Sequence, residues 1–183
     1  MACEVRAVAD RVPAGDAVHG RECIYDLRLQ GAPYFRGAAH NLGVYGLAQP
    51  TLLGLKSVLS LLGCQPNSQS GRQCVWVCTR EEPVIYVGDR PFVLREAHKP
   101  THTFSLSDRA ENLEAIEKRL RDDVLLESQR NGGMLLVHEE EEGNEQLVPT
   151  WVAVQRNEVR TVREVWKQVQ SDGWQVVLSL IHI

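Results

Sequence analysis

Apolar and polar positions along the chain form short alternating runs, interrupted by one long and two shorter stripes of helical spacing. Residues 1–20 show no clear periodicity and are expected to be a loosely structured lead-in. From Glu22 to Leu29, the run ECIYDLRL puts Cys23, Tyr25, Leu27 and Leu29 on one face, the alternation of a half-buried strand. The Gly- and Pro-rich GAPYFRGAAHNLGVYGLAQP then predicts a structured loop with short extended pieces. Thr51 can accept a hydrogen bond from an orphan N–H of a first helical turn. Leu52, Leu55, Leu59 and Leu62 follow at helical spacing, and Gly63 stands where a left-handed residue would end the helix.

Gln73–Thr79 (QCVWVCT) is rich in β-branched and aromatic residues and predicts a strand. PVIYV and RPFVLRE flank Gly88-Asp89, a Gly-first pair suited to a type II′ hairpin turn. Ser107–Arg130 forms the longest predicted helix, with Leu113, Ile116, Leu120 and Val124 as its apolar stripe. Ser105 and Asp108 have capping-box spacing near its start, and Gly132-Gly133 end it. MLLVH (134–138) and LVPTWVAV (147–154) predict two strands joined by the acidic turn EEEEGNEQ. Thr161-Val-Arg-Glu164 is a capping box opening a short helix through Gln170 that stops near Gly173. Trp174–Ile183 reads as a last strand. Alternation of helices and strands gives an α/β class, with the hairpin making its sheet mixed.

Composition changes this picture little. The 183 residues are 43 % apolar and 24 % charged, ordinary globular usage that excludes disorder and collagen-like repeats. A net charge of −4 supplies no basic excess for binding nucleic acid. No run approaches the apolar length of a membrane helix, and the first twenty residues lack a signal peptide's apolar core. Five cysteines, an odd number without secretory context, are expected to be reduced thiols in the cytosol.

Several segments together resemble one known family. They are Val44-Tyr-Gly-Leu-Ala-Gln-Pro-Thr51, WVCTREEPVIYVGDRPFVLRE (76–96), NLEAIEKRLRDDVLLE (112–127), GGMLLVHEEEEGN (132–144) and VRTVREVWKQVQSDG (159–173), in this order. Over roughly residues 30–175 the chain is similar to one N-terminal half-domain of the paladin family, whose tandem domains resemble tyrosine-phosphatase-like phytases. The resemblance implies a cysteine-phosphatase-like α/β domain, a mixed sheet flanked by helices. It further implies a hydrolase chemistry in which a thiolate attacks a phosphate ester held by a glycine-rich Cys-x5-Arg loop, while an upstream Asp protonates the leaving oxygen.

One Cys-x5-Arg occurs in the sequence, Cys74-Val-Trp-Val-Cys-Thr-Arg80. Its intervening residues contain no glycine and are bulky or β-branched, so they resist the curved backbone of an amide nest. It is read as a decoy, with Cys74 and Cys78 as core thiols beside Trp76, and no catalytic residue is assigned. In the family the genuine loop lies further on, after a strand leading into a basic–valine–proline segment. Here the strand after Gly173 begins with Trp174, Gln175 and Val176, then runs into VLSLIHI. The expected organisation is therefore a lead-in over 1–20, a partial phytase-like domain over 21–176, and a non-native tail over 177–183 from truncation or mis-splicing. Such a partial sheet would expose an unpaired edge at Trp174–Ile183.

Other polar motifs weigh less. Arg80, Glu81 and Glu82 would line a phosphate cleft or brace the catalytic loop, and bracing is the favoured use, since a lone Arg is weak evidence for phosphate. Gln49-Pro50-Thr51 is read as helix capping rather than an anion site. His98 and His102 are four apart, but Pro100 between them excludes the helix a zinc pair would need. Glu139–Glu142 lacks the alternating ligands of a calcium loop and reads as a solvated turn. Trp76, Trp151 and Trp166 are expected in the core. No cofactor or metal is implied. The expected partners are phosphorylated small molecules (inositol phosphates, phosphoinositides) or phosphoproteins, with further tandem domains of the same protein. The chain alone is expected to be inactive; the alternative is a pseudophosphatase that binds or regulates without cleaving.

Overall fold

The computed structural model describes residues 3–8, 27–38, 42–80, 82–96, 99–103, 110–140 and 147–180. In chain order the elements are β1 (Cys3–Val8), β2 (Arg36–Gly37), β3 (Val44–Leu47), α1 (Leu52–Leu61), β4 (Gln73–Cys78), β5 (Val84–Val87), β6 (Arg90–Val93), β7 (Arg95–Glu96), β8 (Lys99–Thr103), α2 (Ala110–Arg130), β9 (Met134–Glu140), β10 (Leu147–Ala153), β11 (Val159–Thr161), α3 (Val162–Ser171) and β12 (Val176–Leu180). They divide into two compact units, Met1–Arg80 with Trp166–Ile183, and Glu81–Val165. Helices and several sheets alternate, as an α/β class requires.

The first unit holds a five-stranded sheet in the order β12-β4-β1-β3-β2. β12 runs parallel to β4, whereas the β4–β1, β1–β3 and β3–β2 pairs are antiparallel. The sheet is thus mixed for a different reason from the one the sequence suggested. Parallel neighbours need a long connection, and residues 79–175 supply it. Cys3–Val8, read as part of a loose lead-in, form the middle strand. Cys3, Val5 and Ala7 do alternate with Glu4 and Arg6, but so short a run carries little signal until β3 and β4 flank it. The predicted strand over 22–29 also differs: Glu22–Asp26 lie outside the described residues, and Leu27–Leu29 lead into a turn in which Ala32 N–H donates to Leu29 O at 3.0 Å.

α1 begins as its sequence demands. Thr51 Oγ1 accepts from Gly54 N–H at 3.0 Å, and Gly63 at φ +75° ends the helix in the left-handed region. Its buried face carries Leu55, Val58, Leu59 and, just past the last turn, Leu62. On β4, alternation buries Cys74, Trp76 and Cys78 on one face. The Trp76 ring lies 4.8 Å from that of Trp166 on α3, centroid to centroid. Both tryptophans are core, as expected.

The second unit contains the three-stranded sheet β11-β5-β6. Gly88 at φ +62° turns β5 into β6 while Asp89 keeps a negative φ, the pattern of a type II′ rather than a type I′ turn. The expected strand through Glu96 breaks after Val93, and β7 pairs instead with β8, a strand the sequence did not reveal. The predicted start of the long helix at Ser107, with Ser105 and Asp108, lies outside the described residues. From Ala110 its apolar side lies over a cluster of Ile85, Val87, Leu135, Val137 and Val159, against which Leu120 and Val124 pack.

The ribbon β9–β10 has its connecting residues 141–146 outside the described set. Trp151 is a correction: it is 53 % exposed rather than core. Leu135 and Val137 take the buried face of the ribbon, and strand alternation leaves Leu136 and its cross-strand partner Trp151 on the other face. The predicted capping box is formed, with Glu164 N–H donating to Thr161 Oγ1 at 3.3 Å and Thr161 N–H to Glu164 Oε2 at 2.8 Å.

Candidate functional site

The sequence offered one nucleophile-and-arginine pair, Cys74 and Arg80, and one polar motif, Arg80-Glu81-Glu82. Cys74 lies near the start of β4, at 0 % exposure. Its N–H is engaged with Gln175 O at 2.9 Å, and its residue pairs with Ala7 of β1. An amide nest needs successive N–H groups converging on one point, whereas strand N–H groups alternate between two neighbours. Burial pushes the Cys74 thiol up to about 12, and the neighbouring Cys64 reinforces this. The nucleophile of thiol catalysis is the thiolate, so Cys74 supplies almost none near neutral pH. Cys64 is raised too, chiefly by burial, with Arg72 opposing.

Arg80 follows β4 after Thr79, and only 3 % of it is exposed. Its Nε donates to Cys78 Sγ at 3.2 Å. The guanidinium is therefore enclosed beside the end of β4. Glu81 lies outside the described residues. The boundary between the two units falls at Arg80/Glu81, and Glu82 with Pro83 leads directly into β5. Gln49-Pro50-Thr51 ends at the α1 cap already described. His98 lies outside the described residues, and His102 is on β8, a strand rather than a helix. Glu139 forms an ion pair with Arg90, and Glu141 and Glu142 lie outside the described residues. Among the described residues no cluster of three or more His, Cys, Asp or Glu could hold a metal ion.

Sequence reasoning missed Glu117. It sits on the apolar side of α2 at 1 % exposure, and its Oε1 accepts from Val84 N–H at 3.0 Å, fixing the first residue of β5. The signal was present: Glu117 falls four residues after Leu113 and three before Leu120, so it occupies the stripe's own face. It anchors the strand that follows the Arg80–Glu82 segment. Arg121 on the same helix pairs with Glu164 of the capping box at 2.5 Å.

Against this geometry stand the comparisons with known proteins. The sequence model of the family described as PTP-like phytase, inositol hexakisphosphate, matches residues 77–179, more than half of the chain. The chain belongs to the PTP-like phytase family. Paladin of Xenopus tropicalis is 41 % identical over 100 residues, covering 50 % of this chain and 11 % of that protein. Paladin of Mus musculus is 33 % identical over 115 residues, 58 % of this chain and 13 % of the relative. Human paladin is 36 % identical over 100 residues, 50 % of this chain and 11 % of its own length. The chain therefore spans a small part of the paladins it matches. No solved structure matches it. The family match begins inside β4 and ends inside β12, taking in the whole of the second unit. No described helix is long and apolar enough to cross a membrane.

Proposed function

We propose that this chain is a phosphatase-fold module of a protein that acts on or binds phosphorylated ligands, and that it turns over no phosphate ester by itself. The family match supports a phosphatase fold, and the inositol hexakisphosphate in that family's description supports a phosphorylated small molecule as the ligand class. The single observation that carries inactivity is the place of Cys74. The only Cys-x5-Arg of these 183 residues lies along β4, where the thiol is closed to solvent and held up to about 12. An extended strand cannot cradle three phosphoryl oxygens as a nest does. We also place the chain in a reducing compartment, a reading supported by Cys64, Cys74 and Cys78, all buried free thiols.

The test is direct. Purified 1–183 should release no phosphate from p-nitrophenyl phosphate or inositol hexakisphosphate above a buffer blank. Turnover that Cys74→Ser abolishes would overturn the reading. Turnover that survives Cys74→Ser and copurifies with the chain would overturn it equally, by locating a site that uses another nucleophile. Binding is a separate arm: heat on titration with inositol hexakisphosphate, without phosphate release, is the expected behaviour of a module that holds its ligand.

A further inference from the structure

Two cysteines stand directly opposite each other across the β1–β4 pair. These strands are antiparallel, and their register sets Cys3 against Cys78, Val5 against Trp76 and Ala7 against Cys74. Antiparallel pairs alternate between hydrogen-bonded positions, with Cα atoms about 5.5 Å apart, and non-hydrogen-bonded ones at about 4.5 Å. The bonds of β4 decide which kind this pair is. Cys74 N–H donates to Gln175 O at 2.9 Å, so its backbone groups point to the β12 side and away from β1. Successive residues of a strand alternate in the side to which both groups point, so Trp76 and Cys78 also direct theirs away from β1. Cys3 and Cys78 are therefore a non-hydrogen-bonded pair.

That spacing suits a disulfide, whose two Cα atoms lie about 4.4–6.8 Å apart. Directly opposed residues of adjacent strands also share a face of the sheet. Cys74, the other cysteine of β4, faces Ala7 instead. It stands four residues from Cys78 along the strand, about 13 Å away at ~3.3 Å per residue, too far for the two to bridge. Cys78 has a further feature that Cys74 is not shown to share. Arg80 Nε donates to Cys78 Sγ at 3.2 Å, so a thiolate formed there has a cationic donor beside it. The thiolate is the form that attacks in disulfide chemistry.

We propose that Cys3 and Cys78 are a redox-sensitive pair, which an oxidant of the peroxide class converts into a disulfide tying β1 to β4. One thiolate attacks a peroxide oxygen and the O–O bond breaks. This leaves a sulfenic acid, and the departing hydroxide takes up the thiol proton as water. The second thiol then attacks the sulfenic sulfur. The S–S bond forms, the S–O bond breaks, and hydroxide leaves with the second thiol proton as water. In total the two thiols lose two electrons and two protons, and the peroxide is reduced to two waters. A dithiol reductant reverses the bond by exchange. The proposal stands apart from the phosphorylated-ligand reading, since it needs neither a ligand nor the thiol of Cys74.

Disulfide mapping on the 183-residue chain tests it. The folded, reduced chain is treated with hydrogen peroxide, its remaining thiols are blocked, and it is digested with trypsin without reduction. Cleavage after Arg6, Arg72 and Arg80 should yield residues 1–6 joined to residues 73–80, with fragmentation placing the bond on Cys78 and not on Cys74. This link should exceed every other cysteine pairing by about tenfold or more, because only this pair has the register. Dithiothreitol should release it. Cys3→Ser and Cys78→Ser should each lose it, and Cys74→Ser should keep it. Should the buried Cys78→Ser fail to fold, the map of the unmodified chain and the Cys3→Ser variant still decide. In the urea-unfolded chain the preference for this pair should vanish, since the fold alone brings the two residues together. Four outcomes would each overturn the proposal: oxidation to sulfinic acid without a cross-link, a bond through Cys23, Cys64 or Cys74 in place of this pair, a link between two copies, or a preference that persists in urea.

Discussion

Gly54 shows how a single residue is constrained by a neighbour distant in sequence. It interrupts an otherwise leucine-rich run, and in a helix glycine costs about 1 kcal/mol relative to alanine. That cost is accepted because the loop crosses the first turn of α1. A Cβ at Gly54 would sit 1.9 Å from Gly31 O and 2.7 Å from Ala32 N, both backbone atoms that cannot swing aside. The same contact uses Thr51, whose N–H donates to Gly31 O at 2.8 Å. Gly31 itself has φ +74°, a left-handed conformation that suits glycine. Gly54→Ala should therefore destabilise the chain by about 1–3 kcal/mol despite its better helix propensity, read as a lower urea midpoint. An unchanged or raised midpoint would show that the loop does not sit there.

At the scale of elements, β5 depends on α2 for its start. Val84 N–H is buried and donates to the Glu117 carboxyl, and Ile85 and Val87 of the same strand pack into the cluster beneath α2. Glu117→Ala removes the acceptor and leaves that donor without it, a change that costs about 1–3 kcal/mol beyond any lost packing. Glu117→Gln keeps an acceptor oxygen and should recover most of the loss, a comparison that thermal melts of the two variants would make. Much of the element layout was legible from sequence. The Thr51 cap, the Gly88 turn and the Thr161–Glu164 box are local devices, decided by residues within a few positions of each other. Trp151 was not legible in the same way. Alternation says that Val152 and Trp151 face opposite sides of β10, but only the packing of α2 and β5 against Leu135 and Val137 decides which side is core.

For the molecule as a whole, two thiols and a phenol tie stability to alkaline pH. Cys74 is raised from an ordinary 9.0 to about 12, and Cys64 and Tyr45 are raised as well, each chiefly by burial. Where a group is protonated in the native chain and ionised in the unfolded one, unfolding releases a proton and stability falls as pH rises. Near neutrality these groups are protonated in both states and contribute no pH dependence. The melting temperature should hold near neutral pH and then decline between about pH 9 and pH 12. Cys74→Ala should flatten that decline. A decline of the same steepness in Cys74→Ala would show that Cys74 does not contribute. The same burial goes with the extended backbone that the formal Cys-x5-Arg adopts from Cys74 to Cys78 along β4. The sequence alone determined the α/β class, the local caps and turns, and the unsuitability of VWVCT for a nest, because each follows from backbone preferences within a short window. It also carried the family pattern that the PTP-like phytase model matches over residues 77–179. Only tertiary structure decided that Cys3–Val8 belong in the middle of a sheet, that Arg80 is enclosed, and that β12 lies parallel to β4. Those outcomes rest on pairings between residues far apart in the chain, and no local pattern specifies which distant strand will supply the partner.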